Sequence, residues 1–153
     1  MYEYQDGCSI KFVSSVKLIV EFKNELFEFD ESDKPNFDNG LGESVIEYTG
    51  LCVDNNPIQS WGKATYTPEA YSKLHYHQER TEDYYIIDGQ AKVMLDGEEY
   101  HLSRGDHIRI LPGQLHQVFN ESAQEELKLI VKCVPAWIKE DFHLAQTFRK
   151  TFS

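Results

Sequence analysis

Cysteine is scarce: the chain has three, Cys8, Cys52 and Cys133, in 153 residues. No two of them have the spacing of a metal knuckle or a redox pair. A disulfide scaffold is therefore excluded, and buried or free thiols in a reducing cytoplasm are expected. Long hydrophobic runs are also missing. Leu18-Ile19-Val20 and Leu129-Ile130-Val131 are far too short to cross a bilayer, which takes about 20 apolar residues. The N-terminus lacks a basic region followed by an apolar run, so no signal peptide and no membrane partner are expected. Positive charge is in short supply, with 15 Lys and Arg against 26 Asp and Glu and a net charge of −11. That excludes a nucleic-acid surface, whose phosphate contacts need a basic face. A small anionic substrate is compatible, because it needs only a few local cations.

What is present is strand. The length suits one domain with a substantial core, and the 41% hydrophobic share is ordinary for a globular chain. From Val45 the sequence runs through short segments rich in Tyr, Val, Ile and Thr, among them "SVIEYTGLCV", "IQSWGKATYTP", "SKLHYH", "DYYII", "AKVMLDG", "DHIRIL" and "ELKLIVKCVPAW". Asp88-Gly89 and Asp96-Gly97 are hairpin signals. The pattern predicts an all-β sandwich or barrel. Residues 45–136 are assigned to that barrel. Residues 1–44 hold one strand, "VKLIVEF", and an acidic, turn-rich arm whose Phe27, Phe29 and Phe37 are expected to pack on the barrel or on a second subunit. Residues 137–153 form a tail with room for a short helix.

In "LHYHQERTEDYY", strand alternation sends His75 and His77 to one face. Paired neutral imidazoles are natural ligands for a first-row divalent metal, and a carboxylate adds favourable charge. Two glutamates, Glu79 and Glu82, are within reach, and Glu79 shares the histidine face only if the strand runs straight on. A third histidine, His116, opens a later strand after the turn residues Gly105, Pro112 and Gly113. Ligands converging from neighbouring strands would leave coordination positions open.

These residues resemble the two motifs of the cupin family. His75-Tyr76-His77, "QERT", Glu82, "DYYIID" and Gly89 match the first; Gly105, "DHIRI", Leu111-Pro112-Gly113, "QL", His116, "QVF" and Asn120 match the second. There are two departures: Glu69 stands where the family has a leading Gly, and Leu111 where it usually has Pro. The resemblance implies a cupin-type double-stranded β-helix, or jelly-roll, barrel with an N-terminal arm. It also implies one divalent transition metal (Mn, Fe, Zn or Ni) on His75, His77, Glu82 and His116. By the motif's spacing the ligand is Glu82, which leaves Glu79 in a solvated turn.

Other candidates follow from alternation. Tyr84 shares the face of Glu82, and Tyr66 is placed inward with Gly62 and Ala64, opposite Trp61, Lys63 and Thr65. His107 and Arg109 share one face, inward or outward. "RTEDYYIIDGQAKVMLDGEE" is similar to the cupin domain of mannose-6-phosphate isomerase-like proteins. That likeness implies a metal acting as Lewis acid on a small carbonyl or sugar-phosphate substrate, with Arg80, Arg104 or Arg109 gripping phosphate. Tyr66, Arg80, Tyr84 and Arg109 are the substrate-binding candidates, and Glu79, Tyr84 and His107 the unranked catalytic ones. The alternatives are an iron-dependent dioxygenase and a non-catalytic small-molecule-binding cupin. A homodimer is expected, since single-barrel cupins commonly pair.

Overall fold

The computed structural model describes residues 2–14, 17–23, 25–30, 37–49 and 59–145. The expectations for Cys52 and for the Phe27 side chain lie outside what is described. Four strands, β1 (Tyr2–Glu3), β2 (Ser9–Phe12), β3 (Lys17–Phe22) and β4 (Glu25–Asp30), form an antiparallel meander. There follow β5 (Phe37–Asp38), β6 (Glu43–Thr49), β7 (Ser60–Tyr66), β8 (His75–Tyr76), β9 (Thr81–Asp88), β10 (Gln90–Leu95), β11 (Glu98–Ser103), β12 (His107–Ile110), β13 (His116–Asn120) and β14 (Leu127–Val134). A single 3-10 turn, Lys139–Asp141, leads into β15 (His143–Leu144). In the tail, which has room for a short helix, the described part holds this 3-10 turn and a strand. Among the described residues no helix is long and apolar enough to cross a membrane.

Three sheets stack. The outermost is the meander β1-β2-β3-β4, the middle one has order β12-β9-β14-β7-β6-β5, and the third β11-β10-β13-β8-β15. Alternation along the middle sheet feeds two cores. Ala64, Tyr66, Tyr84, Ile86, Leu127 and Leu129 point to the third sheet and meet Ala91, Val93 and Val118; this is the barrel interior. Trp61, Tyr85, Ile87 and Ile130 point the other way and meet Tyr4, Cys8, Ile10, Leu18, Val20 and Phe29 of the meander. Each fully buried Leu, Ile or Phe there contributes about 1.5–3 kcal/mol. The described residues of 2–30 thus form a docked third layer, and "ELFEFD", expected to be a loop, is a strand of it.

The two turn signals behave differently. Asp96 and Gly97 both take positive φ, 49° and 83°, and close the β10–β11 hairpin between Leu95 and Glu98. Asp88-Gly89 makes no hairpin. It carries the chain from the middle sheet to the third, because β9 pairs with β12 and β14 while β10 pairs with β11 and β13. Gly89 is needed for close approach: a Cβ there would lie 2.5 Å from the Glu126 carbonyl oxygen.

Candidate metal centre

The four residues singled out by the motifs meet at one place. His75 in β8 lies directly across from His116 in β13, with ring centroids 4.1 Å apart. His77 follows β8 where the chain bends, and its carbonyl accepts the Gly113 amide at 2.6 Å, which ties the two motif loops together. Glu82 is supplied by β9, across from Cys133 on β14. All four side chains are buried, and one ligand atom from each lies within 4.8 Å of the others. Glu79 is exposed in the intervening turn.

The outward nitrogens of the rings decide what the inward ones can do. Nδ1–H of His75 donates to the Lys73 carbonyl at 2.6 Å, that of His77 to the Asp141 carbonyl at 2.7 Å, and that of His116 to the Gln114 carbonyl at 2.9 Å. A carbonyl only accepts, so each Nδ1 carries the proton and each neutral ring turns the Nε2 lone pair inward. Yet Nε2 of His77 and of His116 both stand 2.9 Å from Glu82 Oε1, itself an acceptor. Acceptors facing acceptors at that distance require a proton or a cation among them. Three oriented imidazoles with their outer N–H groups anchored, plus one carboxylate, are a donor set that fits a first-row divalent cation.

The electrostatics show the same need for a proton or a cation. Burial, then the neighbouring His116, pushes His75 down to about 4, which keeps it neutral and ligand-ready. Burial works against the charged form of His77, but the hydrogen bond and charge of Glu82 outweigh it and raise that ring. Burial would lift Glu82, but a proton shared with His116 and His77, standing where a cation would, holds its carboxyl well below the ordinary range. Glu82 Oε2 also accepts from the Cys133 thiol at 3.6 Å, a neighbour that no sequence spacing indicated.

The remaining candidates separate into interior and exterior. Tyr84 is buried inside with its ring 6.1 Å from that of His116. Tyr66 is also inside, and its hydroxyl donates to Glu43, its cross-strand neighbour on β6. Glu43 was missed from sequence. Its carboxyl also accepts from Asn39 Nδ2 at 3.2 Å, and burial, with Glu82 adding, raises it despite the Tyr66 hydrogen bond.

The arginines go elsewhere, which corrects the expectation of a phosphate grip. Arg80 is buried, but its guanidinium is bound to the Asp141 carboxylate and directed to the Pro135 carbonyl. Arg104 is on the surface against Asp88. Arg109 and His107 resolve to the outward face, where both hold Asp83, at 2.9 and 2.7 Å. His107 is therefore not a proton carrier for this centre. Trp61 and Lys63 point out of the barrel as expected, yet both are buried.

Asp6, Asp83 and His107 form a second acidic group, between the meander and the barrel. Its charge is already met by protein cations. Lys132 Nζ is 3.5 Å from Asp83 and 3.7 Å from the centre of the Phe22 ring, with Arg109 on the other side. This is an ion cluster that pins the outer layer, where a metal would meet two cations. An open groove of about 560 Å³ beside Lys92 and His101 contains none of the four converging residues.

The cupin-domain family model matches residues 62–133, the span that carries both motifs. The chain belongs to the cupin superfamily. An uncharacterized protein of Methanocaldococcus jannaschii, MJ1618, is 30% identical over 88 residues, 58% of this chain and 70% of that one. Among solved structures, an RmlC-like cupin from Shewanella frigidimarina is 23% identical with a TM-score of 0.60, covering 75% of this chain and 93% of that one. KdgF from a Halomonas species is 18% identical with a TM-score of 0.57, covering 68% and 87%. The Streptomyces protein Pac13, described as a nucleoside dehydratase, is 16% identical with a TM-score of 0.58, covering 69% and 80%. These likenesses establish the jelly-roll fold, and they include an enzyme.

Proposed function

We propose that this cupin is a metal-dependent enzyme acting on a small carbonyl or sugar substrate, with His75, His77, Glu82 and His116 holding one divalent transition metal (Mn, Fe, Zn or Ni). The observation that carries the reading is the convergence of three buried imidazoles, each with its Nδ1–H anchored on a carbonyl, on the buried Glu82 carboxylate. When bound, the metal supplies Lewis acidity to a carbonyl oxygen.

The chain's own residues supply the rest. Tyr84 and Tyr66 line the interior beside the centre and are assigned to orient the substrate. Glu43 is assigned as the group that takes and returns a proton, with Tyr66 and Asn39 fixing its carboxyl. Its raised pKa brings it closer to the working pH of a general base. With the candidate arginines bound elsewhere, the substrate class favoured is an uncharged sugar or small oxo compound rather than a sugar phosphate.

Metal analysis of the purified protein, followed by proton NMR of aldoses, ketoses and small uncharged oxo compounds in D2O, tests this. The expected result is one equivalent of metal and metal-dependent deuterium uptake beside a carbonyl, lost in His116→Ala and reduced at least 100-fold in Glu43→Gln. Oxygen consumption by the iron-loaded protein would replace it with the dioxygenase reading. Full metal loading with ligand-induced stabilisation but no turnover would replace it with a binding module.

A further inference from the structure

We propose that residues 138–144 are a clasp on the metal centre: they fix His77, cover the His75 and His77 rings, and thereby set how tightly and how accessibly a divalent cation is held. This rests on the metal-binding reading above but assigns a function to a segment outside the matched cupin span, residues 62–133.

Asp141 is the point of attachment. Its carbonyl receives Nδ1–H of His77 at 2.7 Å. Its carboxylate receives the amides of Gln78 and Glu79 at 2.8 and 3.0 Å and the Arg80 guanidinium, and His143 Nε2 lies 3.2 Å from it. The three residues so held, Gln78, Glu79 and Arg80, belong to the bend that separates His77 from Glu82. One buried aspartate therefore sets both the direction of a ligand ring and the shape of the loop between two ligands.

Phe142 supplies the cover. β15 pairs with β8 in the register His143 to Tyr76 and Leu144 to His75, so alternation puts Phe142 and Leu144 on the face that His75 uses. The Phe142 ring lies 4.8 Å from that of His75 and 6.0 Å from that of His77. The four converging residues are 7% exposed or less, so a cation can enter or leave only if something moves. Phe142 lies between the 3-10 turn and β15, a two-residue strand at the sheet edge with little pairing to break.

A purely structural knot would hold the C-terminal segment to the barrel without affecting metal exchange, and the experiment separates the two. Full-length protein is titrated with Co²⁺ against a chelating dye, and release into excess EDTA is timed. Asp141→Asn is expected to weaken Co²⁺ binding 10–100-fold, the range for loss of an outer-shell partner. Phe142→Ala is expected to keep the visible band of bound Co²⁺ but to release it at least 10-fold faster. Glu140→Gln, an exposed neighbour, is expected to match wild type. If Asp141→Asn fails to fold by circular dichroism, Phe142→Ala decides. Folded variants with wild-type affinity and release rate overturn the clasp while leaving the metal reading intact. A wild-type protein that takes up none of Co²⁺, Zn²⁺ and Mn²⁺ overturns both.

Discussion

Asp83→Asn is expected to be among the more damaging single substitutions in this chain, although Asp83 faces away from the barrel interior. Its carboxylate is 1% exposed and accepts from His107 at 2.7 Å and Arg109 at 2.9 Å, with Lys132 at 3.5 Å. An asparagine keeps one acceptor but removes the charge. Arg109, half exposed, can return to water. Lys132, 4% exposed beneath the Phe22 ring, cannot. Removing one partner of a buried pair typically costs about 3–5 kcal/mol, and the retained hydrogen bond argues for about 3. For a urea slope near 2 kcal/mol per molar, that lowers the unfolding midpoint by about 1.5 M. Trp61, buried beside this cluster, is a suitable fluorescence probe. Lys132→Met in the same chain removes both charges, so the double variant should recover at least half of the loss, a coupling of at least about 1.5 kcal/mol. The pH dependence has a fixed sign. Burial would raise Asp83, but His107, Arg109 and Lys132 together lower it below the ordinary 3.8. Its stabilisation is therefore complete above that value and is lost as pH falls through the folded pKa, so Asp83→Asn should flatten the acid limb. An Asp83→Asn protein within 0.5 kcal/mol of wild type, or strictly additive losses in the double variant, would refute the reasoning.

Glu69, which replaces the motif's leading glycine, sits at φ 64°. Glu69→Gly removes about 1–2 kcal/mol of left-handed strain against about 0.5–1 of added unfolded-chain entropy, so Tm should rise by about 2 °C; scanning calorimetry that shows no rise contradicts this. Gly89→Ala combines φ 81° with a contact 2.5 Å from the Glu126 carbonyl, and should cost more than about 2 kcal/mol in urea unfolding. Because the fold raises Glu43 above the ordinary 4.5, stability should fall as pH climbs through its folded pKa. Glu43→Gln should remove that slope in midpoints measured between pH 4 and pH 8.

The difference between what the sequence disclosed and what it did not follows from the range of each signal. Alternation is local, so it placed His75 with His77, Glu82 with Tyr84, and Tyr66 with Ala64 before any partner was known. Spacing within a motif is nearly as local, because one turn separates His77 from Glu82. Alternation names a face but not what covers it. Lys63, Trp61 and Asp83 point out of the barrel, yet all three are buried because a third sheet docks there. "ELFEFD" reads as acidic loop for the same reason: its Phe29 is informative only once the opposing Trp61 surface exists. Asp88-Gly89 carries the residues of a hairpin, but a dipeptide cannot tell a return within one sheet from a crossing to the next. The groups that complete the centre are the least legible of all. Asp141 meets His77 across 64 residues, and Glu43 meets Tyr66 across 23. Neither pair has a periodicity or a motif of its own. Each exists because a strand register set by apolar packing brings a polar residue opposite another. The residues that converge in such a centre can thus be read from sequence, while the residues that aim them follow only from the fold.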